Sequence, residues 1–278
     1  MSVGTHAPPG GPGTAPPPGP AMRTQGLVKE FRGFRAVDGV DLTVREGTVH
    51  ALVGPNGAGK TTLFNLLTGF LRPTAGRILL GDHDLTGHRP ERVARLGVAR
   101  SFQITSLFAQ LTPKEHVELA LQGRTSLGWR FWRSDRQLDR FAGRALQLLD
   151  DVGLAAHRDV PVGTLPYGRK RALELALGLA LDPRVLLLDE PTAGMGAEDV
   201  DRTVDLVRRV RAGRTVVMVE HNMSVVSRLA DHVTVLQGGR VLVEGRYAEI
   251  REDPRVVSAY LGAGDAPDGS RGGADARR

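Results

Sequence analysis

An α/β fold with a mainly parallel sheet and an inserted helical subdomain is predicted by three features of this 278-residue sequence. The runs Val185–Leu188 and Val216–Val219 are short and continuously apolar, the pattern of strands covered on both faces. Each leads through acidic or polar residues into a helical pattern, Ala197–Val210 and Met223–Leu229, the alternation that builds a parallel sheet. Residues from about 104 to 182, by contrast, read as helix almost throughout.

In chain order, residues 1–22 are dominated by Pro, Gly, Ala and Thr and are too poor in apolar groups to build a core. They are expected to be a disordered tail, as are residues 263–278, which leaves one folded body over 23–262. Val37–Val44 and Thr48–Val53 read as strands, followed by a helix from Lys60 with Leu63, Phe64, Leu66 and Leu67 at helical spacing. Ile78-Leu79-Leu80 is short and extended, and Val98–Phe102 is a further strand. Thr112-Pro113-Lys114-Glu115 has the form of a helix start: Thr as N-cap, Pro first, Glu third. Arg136–Val152, with apolar residues at 138, 141, 145, 148 and 149, and Arg169–Leu181 complete the helical part. There is no internal repeat.

Composition excludes several classes. With 41% hydrophobic residues the chain can bury a sizeable core, and with no cysteine it has neither disulfides nor thiolate metal sites. Its longest apolar stretch, Leu175-Ala176-Leu177-Gly178-Leu179-Ala180-Leu181, is far short of the roughly 20 residues that span a bilayer. The N-terminus has no apolar segment of a signal peptide, so a cytoplasmic, soluble chain is expected. A net charge of +6 and a pI near 10.2 suit a nucleic-acid binder, a protein working beside an anionic membrane face, or arginines scattered over a solvated surface.

The most specific motif is Gly54-Pro55-Asn56-Gly57-Ala58-Gly59-Lys60-Thr61-Thr62, between a predicted strand and a predicted helix. Its glycines allow successive backbone N–H groups to converge on phosphate oxygens, and the helix N-terminus adds its positive dipole end. Lys60 is placed to reach terminal phosphates, and the Thr61 hydroxyl to bind the Mg²⁺ that accompanies them. The strand Val185–Leu188 ends in Asp189-Glu190, at the strand end where open α/β sheets bind ligands. Asp189 suits a magnesium ligand, and Glu190, pointing elsewhere along the pleat, can polarise an attacking water. Val216–Val219 leads into Glu220-His221-Asn222, where an imidazole can contact a γ-phosphate. Gln103 follows the strand Val98–Phe102 and has no catalytic meaning by itself.

The order phosphate loop, Gln103, Leu165-Pro166-Tyr167-Gly168-Arg169, Asp189-Glu190, His221 resembles the ATP-binding subunit of an ABC transporter over roughly residues 24–262. The resemblance implies a RecA-like P-loop NTPase core with a mainly parallel sheet, an antiparallel β part, an inserted helical subdomain and ATP held between two subunits. It implies that Phe31, with Phe34 as a competitor, stacks on adenine. Gln103 would sense the γ-phosphate and magnesium, Glu190 would act as general base, and His221 would contact the γ-phosphate. Phe64–Gly69, Leu165–Gly168, Ala193-Gly194-Met195 and Asp253–Gly262 are similar to the branched-chain amino-acid importer group, which includes amide and urea relatives. That likeness implies ATP-driven import with two transmembrane permease subunits, a second, non-identical ATPase and an extracytoplasmic solute-binding protein, at the cytoplasmic membrane face.

Pro166 stands where the broad family has Ser, Arg169 where it has Gln, and Gly196 where it has Asp. Proline offers neither hydroxyl nor N–H, so a phosphate contact there must come from the Tyr167 and Gly168 backbone and the dipole of the following helix. An ABC exporter ATPase, including the lipopolysaccharide-export type with its similar Tyr260-Leu261-Gly262 ending, is a rival that Pro166-Tyr167 and Gly196 argue against. A non-transport ABC ATPase acting on DNA or ribosomes is another, but the long coiled coils or tandem halves usual there are missing. Trp129-Arg130-Phe131-Trp132-Arg133 suits a membrane interface, a membrane subunit or a locally packed loop.

Overall fold

The computed structural model describes residues 19–101, 107–124 and 136–261. The N-terminal third contributes β1 (Pro20–Phe31), β2 (Phe34–Val40), β3 (Thr43–Arg45), β4 (Val49–Val53), α1 (Lys60–Leu67), β5 (Ala75–Leu80), β6 (His83–Asp84), α2 (Pro90–Arg95) and β7 (Val98–Ser101). The helical insertion follows as α3 (Pro113–Arg124), α4 (Arg136–Asp151) and α5 (Tyr167–Ala180). The chain then returns to the sheet through β8 (Val185–Asp189), α6 (Ala197–Val210), β9 (Thr215–Val219), α7 (Met223–Leu229), β10 (His232–Gln237) and β11 (Arg240–Gly245), and closes with α8 (Tyr247–Ile250) and α9 (Pro254–Leu261).

Two sheets result. The larger runs β11-β10-β4-β9-β8-β7, parallel throughout except for β11, and the smaller is antiparallel in the order β2-β1-β5-β6, with β3 also on β1. Strands β4 and β9 are buried at every position, which is why their sequences lack the apolar–polar alternation of a half-exposed strand. Successive residues still serve opposite faces. Ala51, Val53, Leu186, Leu188, Val216 and Met218 pack with the helices α3 to α7, while Leu52, Val185, Leu187, Val217 and Val219 pack with α1 and the antiparallel sheet. The parallel sheet is therefore the middle layer of three.

At α3 the capping box forms as its sequence predicts: Thr112 N–H donates to Glu115 Oε2 at 2.7 Å, and Glu115 N–H to Thr112 Oγ1 at 3.3 Å. Helices α6 and α7 match their predicted limits. Three expectations are corrected. The strand foreseen over Val37–Val44 is two strands, because the chain breaks at Asp41-Leu42, where Leu42 N–H donates to Thr24 Oγ1 at 2.9 Å. The folded body begins before residue 23: Pro20, Ala21 and Met22 lie in β1, with Met22 fully buried against Leu80 and Val44. Helix α5 starts at Tyr167, two residues earlier than predicted. The remainder of the two predicted tails and the Trp129–Arg133 segment lie outside the described residues. No helix among the described residues is long and apolar enough to cross a membrane.

Candidate nucleotide site

Adjacent parallel strands β4, β9 and β8 end at the same edge of the sheet, so the loops after Val53, Val219 and Asp189 meet there. The first is the glycine-rich loop. Two of its glycines are required by close backbone approach as well as by positive φ. A Cβ on Gly54 (φ +147°) would lie 2.2 Å from the Leu236 carbonyl oxygen, and one on Gly59 (φ +100°) 2.4 Å from that of Ala36. Gly59 caps α1, so Lys60, Thr61 and Thr62 form its first turn, whose N–H groups have no intrahelical acceptor. No acidic residue occupies that turn to compete for an anion. The Lys60 side chain is nearly enclosed, and its ammonium donates to the carbonyls of Gly54 at 2.7 Å and Pro55 at 3.0 Å. Burial pushes the Lys60 pKa down, and the nearby Glu190 carboxylate partly opposes that. A glycine cradle around a positive helix end and an almost enclosed ammonium fits a polyphosphate.

Asp189 is the last residue of β8, and its carboxylate is bonded by the Arg100 guanidinium from β7. Arg100 also donates to Asn65 Oδ1 at 2.6 Å and lies over the Phe64 ring, with its own side chain only 4% exposed. The hydroxyl of Thr61 and the carboxylate of Asp189 are hard oxygen donors, the kind Mg²⁺ takes when it also shares phosphate oxygens. Arg100 was not singled out in the sequence, although a lone arginine inside the apolar run Val98-Ala99-Arg100 is the signal that marks it. Replacing it by alanine leaves Asp189 and Asn65 without their cationic partner. Arg100→Ala is expected to lower unfolding free energy by about 3–5 kcal/mol, measured by urea denaturation against wild type. A loss within 0.5 kcal/mol, as at an ordinary surface site, would show that the pair contributes nothing.

Glu190 lies just past the strand with φ +47°, in the left-handed region that non-glycine residues seldom occupy. Its direction is set by this turn, not by the pleat alternation expected from the sequence. The turn is held by Glu190 N–H to the Val219 carbonyl at 3.0 Å and by Ala193 N–H to the Glu190 carbonyl at 3.0 Å. It brings Glu190 Oε1 to 2.9 Å from His221 Nε2. Both side chains are more than 40% exposed, open to a ligand. Asn222, next to His221, caps α7 by accepting from Ser224 N–H at 3.0 Å and Val225 N–H at 3.4 Å.

The aromatic pair sits at the β1–β2 hairpin, where Phe31 and Phe34 are cross-strand partners, 43% and 67% exposed. Lys29 Nζ lies 4.9 Å from the Phe31 ring centre. Strand β2 packs on α1, and Ala36 touches Gly59, so this hairpin borders the phosphate loop. Leu165, Pro166, Tyr167, Gly168 and Arg169 form the start of α5, with Pro166 as N-cap and the amides of Tyr167 and Gly168 in the first turn. Arg171 donates to Tyr167 Oη at 2.9 Å, stacks on its ring and donates to Glu174 Oε2 at 2.9 Å, which fixes the face of this turn. Helix α5 packs on α3, α4, α6 and β7 and belongs to the core on one face of the parallel sheet, whereas α1 belongs to the core on the other face. Gln103 lies outside the described residues.

Comparison with known proteins shows what the chain is similar to. The ABC transporter family profile matches residues 37–193, and that of the branched-chain amino acid ATP-binding cassette transporter matches residues 240–266. The sequence is 38% identical over 253 residues to the high-affinity branched-chain amino acid transport ATP-binding protein BraF of Pseudomonas aeruginosa, covering 87% of this chain and 98% of that one. It is 36% identical over 250 residues to LivG of Escherichia coli K12, of the same description, again covering 87% and 98%. Among solved structures, the ADP conformation of MJ1267, an ATP-binding cassette of an ABC transporter, superposes with a TM-score of 0.76 at 29% identity, covering 87% of this chain and 99% of that one.

Proposed function

We propose, from the premise that this chain belongs to the ABC transporter family, that it is the ATP-hydrolysing subunit of an importer of branched-chain amino acids or related small polar solutes. The observation that carries the reading is the meeting of the phosphate loop, Asp189, Glu190 and His221 at one edge of the sheet. Lys60 and the first-turn amides of α1 bind the β- and γ-phosphates, and Phe31 or Phe34 covers the adenine. Thr61 and Asp189, together with Gln103, are the residues that would hold Mg²⁺, which when bound offsets phosphate charge. Glu190 accepts the proton of the attacking water, and its contact with His221 holds it toward the γ-phosphate. The start of α5, Leu165 to Arg169, completes the cleft of a second ATPase subunit through its backbone amides and dipole. Closure of such a pair and its reopening after hydrolysis would move attached membrane subunits from the cytoplasmic side.

The test is to purify the tagged chain from its native membrane and assay what comes with it. Two permease subunits and a second, non-identical ATPase are expected, and deletion of the gene is expected to abolish ATP-dependent uptake of leucine, isoleucine or valine supplied with the binding protein. Salt-sensitive nucleic-acid binding with no membrane partner would overturn the reading.

A further inference from the structure

We propose that Glu220 is the positioning residue that braces the Glu190 and His221 loops against each other, setting the contact on which turnover depends. The inference rests on the ATPase reading above, but its geometry is independent of it. Glu220 is the first residue after β9, only 2% exposed, and its two carboxylate oxygens are divided between two loops. Oε1 accepts from the Thr192 N–H at 3.1 Å and the Thr192 hydroxyl at 2.7 Å. Oε2 accepts from the His221 N–H at 3.1 Å and the Asn222 N–H at 3.3 Å. The four donors are three backbone amides and one hydroxyl, and no lysine or arginine pairs with Glu220 in any described ion pair. A buried carboxylate is costly unless its lone pairs are satisfied, and here dipolar donors converge on both oxygens as in an anion-binding nest.

The placement explains why a charge stands there. Thr192 follows Glu190 by two residues, and His221 follows Glu220 directly, so each oxygen grips one of the two loops whose side chains meet at 2.9 Å. The Glu220 N–H lies 3.4 Å from the Leu52 carbonyl on β4, two residues before the phosphate loop, so the brace is seated on the central strand as well. An amide in its place keeps one acceptor oxygen but turns an NH₂ toward N–H donors. One loop then loses its anchor while the chain keeps its volume.

The experiment compares wild type with Glu220→Gln in the full-length chain by site-resolved amide exchange, ATP binding and single-turnover hydrolysis. Expected are exchange faster by about tenfold or more at Thr192, His221 and Asn222 with the amides of β8 and β9 unchanged, ATP affinity kept within about twofold, and a rate lower by about tenfold. In a His221→Ala background, Glu220→Gln is expected to cost little further, since it acts through that side chain. Unchanged exchange at the three amides, an equal loss of affinity and rate, or multiplicative effects in the double variant would each overturn the proposal. Should Glu220→Gln fail to fold, Thr192→Val removes a single donor and is expected to shift the same readouts by about threefold; no shift would count against the brace. The exchange result stands whether or not the wild-type chain turns ATP over, which separates failure of the brace from failure of the ATPase reading.

Discussion

Lys60→Ala is expected to abolish ATP binding. The ammonium is held at the mouth of the loop by the Gly54 and Pro55 carbonyls, with a third N–H left for a ligand. Phosphate oxygens are stronger acceptors than these carbonyls because they are charged, so the ammonium exchanges neutral partners for ionic ones in a nearly enclosed setting. Its burial already pushes the pKa down, so the site holds a cation at a desolvation cost that a polyphosphate would offset. Alanine removes that attraction and leaves the loop carbonyls facing the incoming anion. A loss of at least about 100-fold in affinity, or about 2.7 kcal/mol, is expected. It is measured by titration of the purified chain with a fluorescent ATP analogue, with the ATP-dependent rise in melting temperature as a second readout. Wild-type affinity in Lys60→Ala would remove the loop as the nucleotide site.

How much of this was legible beforehand depends on where each property is encoded. The fully apolar runs at Val185 and Val216 and the Thr112–Glu115 cap carry their conformations locally, and all three formed as predicted. The strand β1 escaped notice because its first residues, Pro20-Ala21-Met22, continue a proline-rich segment, and Met22 is buried against partners at Leu80 and Val44, more than 20 residues away. The same separation governs the site. The glycine loop announces itself because its spacing is its mechanism. Arg100, by contrast, gains meaning only when β7 pairs with β8 and sets it beside Asp189, and Glu220 only when β9 lies between β4 and β8. Glu190 was singled out as a candidate, yet its direction comes from a left-handed turn that no residue type at that position signals.

That turn underlies the second large effect: Glu190→Gln is expected to bind ATP as well as the wild type and to hydrolyse it at least about 100-fold more slowly. Glutamine has nearly the same volume, and its amide retains a hydrogen bond with His221 in place of the 2.9 Å carboxylate contact, so the loop has no reason to move. What changes is that an acceptor able to take a proton becomes one that cannot. Binding is spared because the principal phosphate attractions come from Lys60 and the α1 amides, and removing a negative charge near the γ-phosphate site lessens repulsion. The left-handed backbone at Glu190 agrees with this role, since it directs the side chain to His221. Equilibrium binding and single-turnover hydrolysis on the same preparation separate the two effects, and nucleotide-promoted pairing with the cognate ATPase subunit should persist longer in the variant. Undiminished hydrolysis in Glu190→Gln would exclude Glu190 as the base and leave its strained turn without a chemical purpose.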